Sequence, residues 1–335
     1  MRLISGQHLV FALTICLPFV ALLCALIGST PLSINTLLAG ETDSVDLLIL
    51  TEIRLPRVLL TLIIGGVLAA SGAVLQGLFR NPLADPSLIG VSAGASVGAS
   101  LSIFVGGSTI SASFAGLSLV TLGAFIGSII AVWVVYRLST GSRGTSVSTM
   151  LLVGIAISAL AGAMSNLLSF LADNEMLRRM SLWQMGNLDL ASWNRVLISA
   201  AMLLVFTLLL RRQSTRLNAL LLGESEARHL GVDISATKKR LILLAALAVG
   251  ISTALAGIIA FVGLIVPHLV RQLAGPDHRH LLIASGLMGA ILLLLADLIA
   301  RTILAPSELP VGIVTAFLGV PFFIYLLVHQ RRVDA

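Results

Sequence analysis

Few side chains in this 335-residue chain can do chemistry, and their types narrow what that chemistry is. The lysines are two, Lys238 and Lys239, and neither follows a glycine, so the phosphate loop G-x-x-x-x-G-K-[ST] is absent and ATP is not bound by that route. No HExxH or paired-cysteine motif occurs, and Cys16 and Cys24, about two helical turns apart in one apolar run, read as packing residues. The chain reads as non-catalytic. What remains is a set of grouped arginines: Arg54 and Arg57 in Glu52-Ile53-Arg54-Leu55-Pro56-Arg57, then Arg178 and Arg179, Arg195 and Arg301. A guanidinium fork suits bidentate pairing with carboxylates, so these groups are either interfacial anchors or contacts for acidic residues of a docked protein. Asp297 and Arg301 stand four apart, which permits an ion pair along one helix face or leaves Arg301 for an outside contact. His268, after Pro267, reads as a structural histidine.

The elements that position these residues follow from composition. With 57% hydrophobic residues, 11% charged and a mean hydropathy of +1.05, the chain is neither an ordinary soluble domain nor disordered. The net charge of +6 sits in short basic clusters between apolar runs, which excludes a nucleic-acid footprint and reads as cytoplasmic loops. Apolar runs lie at 8–28, 58–79, 87–106, 114–136, 149–172, 193–210, 241–270, 281–300 and 309–328. Each must be helical, because lipid offers backbone amides no partner. The first run is about 20 positions, a membrane span rather than a removable leader, and Ala21-Leu22-Leu23-Cys24 lacks a small residue before the cysteine. Run 241–270 is long for one span. Split in two, it gives ten crossings, both termini on one side, and 15 of the 21 Lys and Arg on that side; unsplit, the tally is 12 against 9. The positive-inside rule therefore selects ten, with Gly257, Gly263 and Pro267 as places to break the run.

Residues 211–240 form the largest interruption, cytoplasmic on charge, within a single transmembrane domain covering 1–335. Leu217–Leu222 is apolar and Gly223-Glu224 to Leu230-Gly231 reads as short helices ending at a glycine cap, either docking a partner or lying on the membrane surface. Gly90, Gly94 and Gly98, four apart, form a small-residue helix face. Mid-membrane carboxylates are few, which disfavours an ion-coupled secondary transporter.

Five blocks then carry a resemblance: Arg54-Leu55-Pro56-Arg57, Arg80-Asn81-Pro82-Leu83-Ala84-Asp85-Pro86-Ser87-Leu88-Ile89-Gly90-Val91-Ser92-Ala93-Gly94-Ala95, Gly263-Leu264-Ile265-Val266-Pro267-His268, Ala296-Asp297-Leu298-Ile299-Ala300-Arg301 and Glu308-Leu309-Pro310-Val311-Gly312. Together, and over the whole chain, they resemble permease subunits of binding-protein-dependent ATP-binding-cassette importers for iron chelates and cobalamin, the FecCD family. The resemblance implies an all-α polytopic protein of the cobalamin-type (type II) importer permease fold, paired with a second permease copy. Its partners are two cytoplasmic ATPase subunits, which carry the ATP and Mg, and a periplasmic substrate-binding protein; this chain needs no cofactor, metal or nucleic acid. It implies a bacterial inner membrane location with both termini cytoplasmic. By the same likeness, Arg54, Arg57 and Arg301 dock the binding protein. Leu220, Leu221, Gly223, Glu224, Ala227, Leu230 and Gly231 couple to the ATPases, and Val147, Ser148 and Thr149 form the cytoplasmic gate. Ser92, Gly94 and Ser96 of the glycine-rich third span, with Arg178 and Arg179, are expected along the translocation path, although packing accounts for the small residues equally. Haem or a ferric siderophore is the expected cargo, with cobalamin the alternative.

Overall fold

The computed structural model describes residues 4–31, 45–106, 114–142 and 144–333. Thirteen helices carry nearly all of them: α1 (Gly6–Leu26), α2 (Val45–Phe79), α3 (Val91–Gly106), α4 (Phe114–Ser139), α5 (Val147–Leu171), α6 (Asn174–Gln184), α7 (Trp193–Arg211), α8 (Ser214–Leu222), α9 (Glu224–His229), α10 (Ile234–Ala256), α11 (Val262–Ala274), α12 (His278–Thr302) and α13 (Val311–Val333). Among the described residues, seven are long and apolar enough to cross a bilayer, and three shorter apolar helices, α3, α11 and Val311–Tyr325 of α13, complete the ten expected crossings. A two-residue antiparallel hairpin, β1 (Thr140–Gly141) with β2 (Gly144–Thr145), precedes α5.

Helix α2 is the axis of the bundle. Nearly every residue from Pro56 to Phe79 is buried, and α7, α10, α11 and α12 pack around it. Its first part is irregular for a local reason: Pro56 has no N–H to donate, and the preceding stretch Ile49–Arg54 winds as a π-helix. Between α3 and α4 the contact is backbone to backbone. A Cβ on Gly94 would lie 2.3 Å from the Gly127 carbonyl oxygen, and one on Gly98 would lie 1.9 Å from that of Gly123, so the four-residue glycine spacing is the packing face itself.

The long run splits as its charge balance requires, though not at every expected place. Helix α10 ends at Ala256, Gly257 takes φ +72°, and the backbone stays non-helical until α11 begins at Val262. Phe261 then turns the chain into α11 with a left-handed backbone, φ +68°. Gly263 and Pro267, expected to break the run, lie inside α11 instead. Pro267 cannot donate to the carbonyl of Gly263, and Gln76 of α2 answers that vacancy by donating its Nε2 to Gly263 O at 3.3 Å and Leu264 O at 3.0 Å. The proline is therefore tolerated because a neighbouring helix satisfies the carbonyl it orphans.

Candidate functional site

At the start of α2, three arginines and three carboxylates converge. Arg57 Nε donates to Oδ1 and Oδ2 of Asp297 at 3.0 and 3.2 Å, and its Nη2 to Oδ1 at 2.9 Å. Its Nη1 donates to Glu308 Oε2 at 2.6 Å and pairs with Asp189 Oδ1 at 3.1 Å. Arg301 Nε lies 3.5 Å from the other side of Asp297, and its Nη2 donates to the carbonyl of Cys24. Arg54 donates to the carbonyls of Ala25 and Leu26 at 3.1 and 2.6 Å, and to Thr30, capping the carbonyl end of α1.

These positions differ from free outward forks. Arg54, Arg57 and Arg301 are only 4%, 7% and 3% exposed, and each is held from within the chain. The physical reason is that an arginine at a helix end beside lipid is costly unless paired, and α1, α12 and the loop after α12 bring the needed carbonyls and carboxylates. Both alternatives open for Asp297 and Arg301 resolve toward the ion pair, yet the stronger claim on Asp297 is that of Arg57. Sequence reasoning missed Asp189 and overlooked Glu308 as its co-ligand. The available signal was balance: Arg57 and Arg301, in two of these blocks, need more than the single carboxylate of Asp297.

The outer edge of the cluster is wet. The Asp189 side chain is 49% exposed and its carboxyl is pushed up to about 6, by burial first and then by its hydrogen bond with Glu308, against the pull of Arg57. Burial also acts on Glu308, but Arg57 outweighs it and holds that carboxyl below the usual range. Because Asp189 binds its proton more tightly folded than unfolded, its contribution is complete below its ordinary 3.8 and is lost as pH rises through about 6. The Asp189→Asn variant is expected to abolish a fall in thermal stability between pH 4 and pH 6; a fall that persists places the proton elsewhere.

At the opposite end, the loop 211–240 folds as α8 and α9, joined by Gly223 at φ +124° and closed by Gly231 at φ +80°. The apolar hexapeptide divides: Leu217 and Leu220 are buried inside this chain, while Leu222 is exposed. Ala227 is buried too, Leu221 half-buried, and Leu230 exposed. Leu220 and Ala227 therefore seat the loop, and Glu224, Leu222 and Leu230 face out. Asn218 ties α8 to the start of α12, donating to Asp277 Oδ1 at 2.7 Å and accepting from the His278 backbone at 2.9 Å. A second tie runs from Glu224 to Lys238 Nζ at 2.7 Å, and from that nitrogen to the Thr145 carbonyl at 3.2 Å. Thr145 stands two residues before Val147, and Val147, Ser148 and Thr149 form the first turn of α5, capped by Ser146 through Thr149 N at 3.3 Å. Lys238, 6% exposed and overlooked in the sequence, links the two segments.

The residues expected along a path are dispersed. Gly94 packs on α4, Ser96 Oγ lies 3.2 Å from Ser165 Oγ of α5, and Ser92 is half-buried. Gly90–Gly94 and Gly94–Gly98 both spell G-x-S-x-G, but they lie at the start of and within an α-helix rather than on a strand-to-helix elbow, so neither serine is presented as a nucleophile. Arg178 is exposed on α6, whereas Arg179 lines a cavity of about 390 Å³ with Trp183, Asn187 and Arg195.

Set against known proteins, the chain matches the FecCD transport family over residues 15–329. It is 44% identical to the hemin transport system permease protein HmuU of Yersinia pestis, over 96% of this chain and 95% of that one. It is 43% identical to the cobalamin import system permease protein BtuC of Halobacterium salinarum, over 86% of this chain and 75% of the relative. A solved inward-facing structure described as an ABC transporter of metal-chelate type superposes with a TM-score of 0.85 at 34% identity, covering 96% of this chain and 99% of that one. The motifs, the helix count and the superposition agree, and this multi-pass membrane protein belongs to the FecCD transport family as an ABC transporter permease.

Proposed function

We infer that the chain carries an iron chelate, haem or a ferric siderophore, inward across a bacterial inner membrane, with both termini cytoplasmic. Energy comes from two separate ATPase subunits gripping α8 and α9, and cargo arrives on a periplasmic binding protein. A second permease copy completes the pathway; the α5 face bearing Leu152, Leu160 and Phe170, exposed in the single chain, supports that contact. The single observation that carries the reading is the tie from Glu224 through Lys238 to Thr145, which joins the loop of α8 and α9 to β2, two residues before α5. ATP binding draws the ATPases together, the loop moves with them, and α5 exchanges between inward-open and outward-open arrangements. The binding protein meets the rim of Asp189 and Glu308, behind which Arg57 is already engaged.

The test is reconstitution in vesicles with the ATPase and binding protein, following uptake of haem, a ferric hydroxamate and cobalamin. ATP-dependent uptake of an iron chelate is expected. Cobalamin uptake alone selects the other cargo, which the archaeal relative favours, and uptake driven by a proton gradient without ATPase overturns the reading. Lys238→Met keeps the alkyl stem and removes the tie. It is expected to lower transport per ATP hydrolysed by at least about tenfold with insertion intact, since one charge-assisted contact is worth about 1.5–3 kcal/mol. Unchanged coupling sinks the role of that lysine.

A further inference from the structure

Against α2, helices α1, α7 and α12 frame a cavity of about 500 Å³ that nothing above uses. Its walls are apolar, from Leu17, Gly66, Leu203, Phe206 and Ile283, and its charged lining is confined to one end, where Arg211, Ser214, His278 and Arg279 stand; the hydroxyl of Thr207, one turn before Arg211, is spent on the carbonyls of its own helix. Arg211 and Arg279 are exposed there. Ser214, the first residue of α8, also lines this end, and among the described residues no side chain caps that helix's N-terminus. Along α12 the cavity runs from Arg279 to Ala290, eleven residues or about 17 Å, roughly one leaflet of a hydrocarbon core ~30 Å thick.

We propose that this groove binds one anionic phospholipid of the cytoplasmic leaflet, its phosphate held by Arg211, Arg279 and the α8 N-terminus and one acyl chain lying along α12. Length, dryness and charge each select that occupant. A soluble anion has no use for 17 Å of apolar wall, and a zwitterionic lipid leaves the two guanidinium charges without a net partner. The site also sits where it matters: α8 begins the loop that faces the cytoplasm, and Arg279 lies one residue beyond His278, to which Asn218 of α8 is bonded. An occupied groove therefore braces α8 against α12.

The full chain, delipidated in detergent, is to be titrated with phosphatidylglycerol and phosphatidylcholine of identical acyl chains, and bound lipid counted by native mass spectrometry. Wild type is expected to retain one phosphatidylglycerol per chain in preference. The Arg211→Gln/Arg279→Gln pair is expected to lose about thirtyfold of that preference, from roughly 1 kcal/mol per basic residue near a membrane surface, with its melting temperature in phosphatidylcholine unchanged. Leu203→Trp fills the groove and leaves the arginines, and is expected to lose retention of both lipids, which keeps the test alive if the arginine pair folds poorly. Absence of preference in wild type overturns the proposal, as does equal protection by soluble glycerol 3-phosphate, which marks a plain phosphate site. A change of oligomeric state in the Leu203→Trp variant overturns it too, by assigning the groove to a second copy.

Discussion

Asp297→Ala is expected to destabilise the protein by about 3–5 kcal/mol, because it strands the buried Arg301 guanidinium and takes from Arg57 its most buried partner. Arg57 loses three of its four hydrogen bonds within the bundle, keeping Glu308 and Asp189, and Arg301 loses the one carboxylate within 4 Å of it among the described residues. Loss of monodisperse protein on extraction, or a fall in unfolding midpoint of several degrees, is the measured sign. The Asp297→Leu/Arg301→Met pair separates causes: Arg57 keeps Glu308 and Asp189, so if stranded charge is the injury, the double variant recovers much of what the single one lost, since apolar replacement of a whole buried ion pair is often close to neutral. A single variant within about 1 kcal/mol of wild type would show that the cluster hydrates freely and holds nothing together.

The second large effect concerns α2 and α11. A methyl at residue 72 would lie 1.8 Å from the carbonyl oxygen of Gly263, backbone that cannot rotate away. Gly72→Ala must therefore part the two helices and pull Gln76 off the carbonyls that Pro267 leaves open, and a loss of at least the 1–3 kcal/mol of ordinary overpacking is expected. Gly286→Ala is the matched control. Its added carbon meets nothing closer than the Gly66 oxygen at 3.7 Å, so a neutral result or a gain of up to about 1 kcal/mol from helix propensity is expected. Equal effects of the two would refute the close approach.

Much of this architecture was legible in sequence because lipid leaves so few options. Backbone amides force helices, loop charges set their direction, and the ten crossings and the splitting of run 241–270 follow from those two facts, while the place of the break, after Ala256, matches one of three expected positions. What stayed hidden was pairing across the chain. Arg57 and Asp297 are 240 positions apart, and nothing local to either block says that the arginine turns inward rather than toward a docked protein. The same holds for Lys238, which reads as one member of a basic run until Glu224 and Thr145 are seen on either side. Glycine spacing was ambiguous for a different reason: Gly94 suits a pore wall and a helix contact alike, and only the position of Gly127 decides.

The brevity of α11 bears on how the chain is made. Thirteen residues reach about 20 Å, short of a full crossing, and they carry Pro267, His268 and Arg271. Leaving the ribosome, such a segment has too little greasy length to be retained by a translocon on its own merits. Its receptor, α2, is by then already in place, since it is synthesised nearly two hundred residues earlier, and α12 follows at once to pull the intervening stretch through. Entry of this segment into the bilayer is therefore expected to depend on its docking against α2.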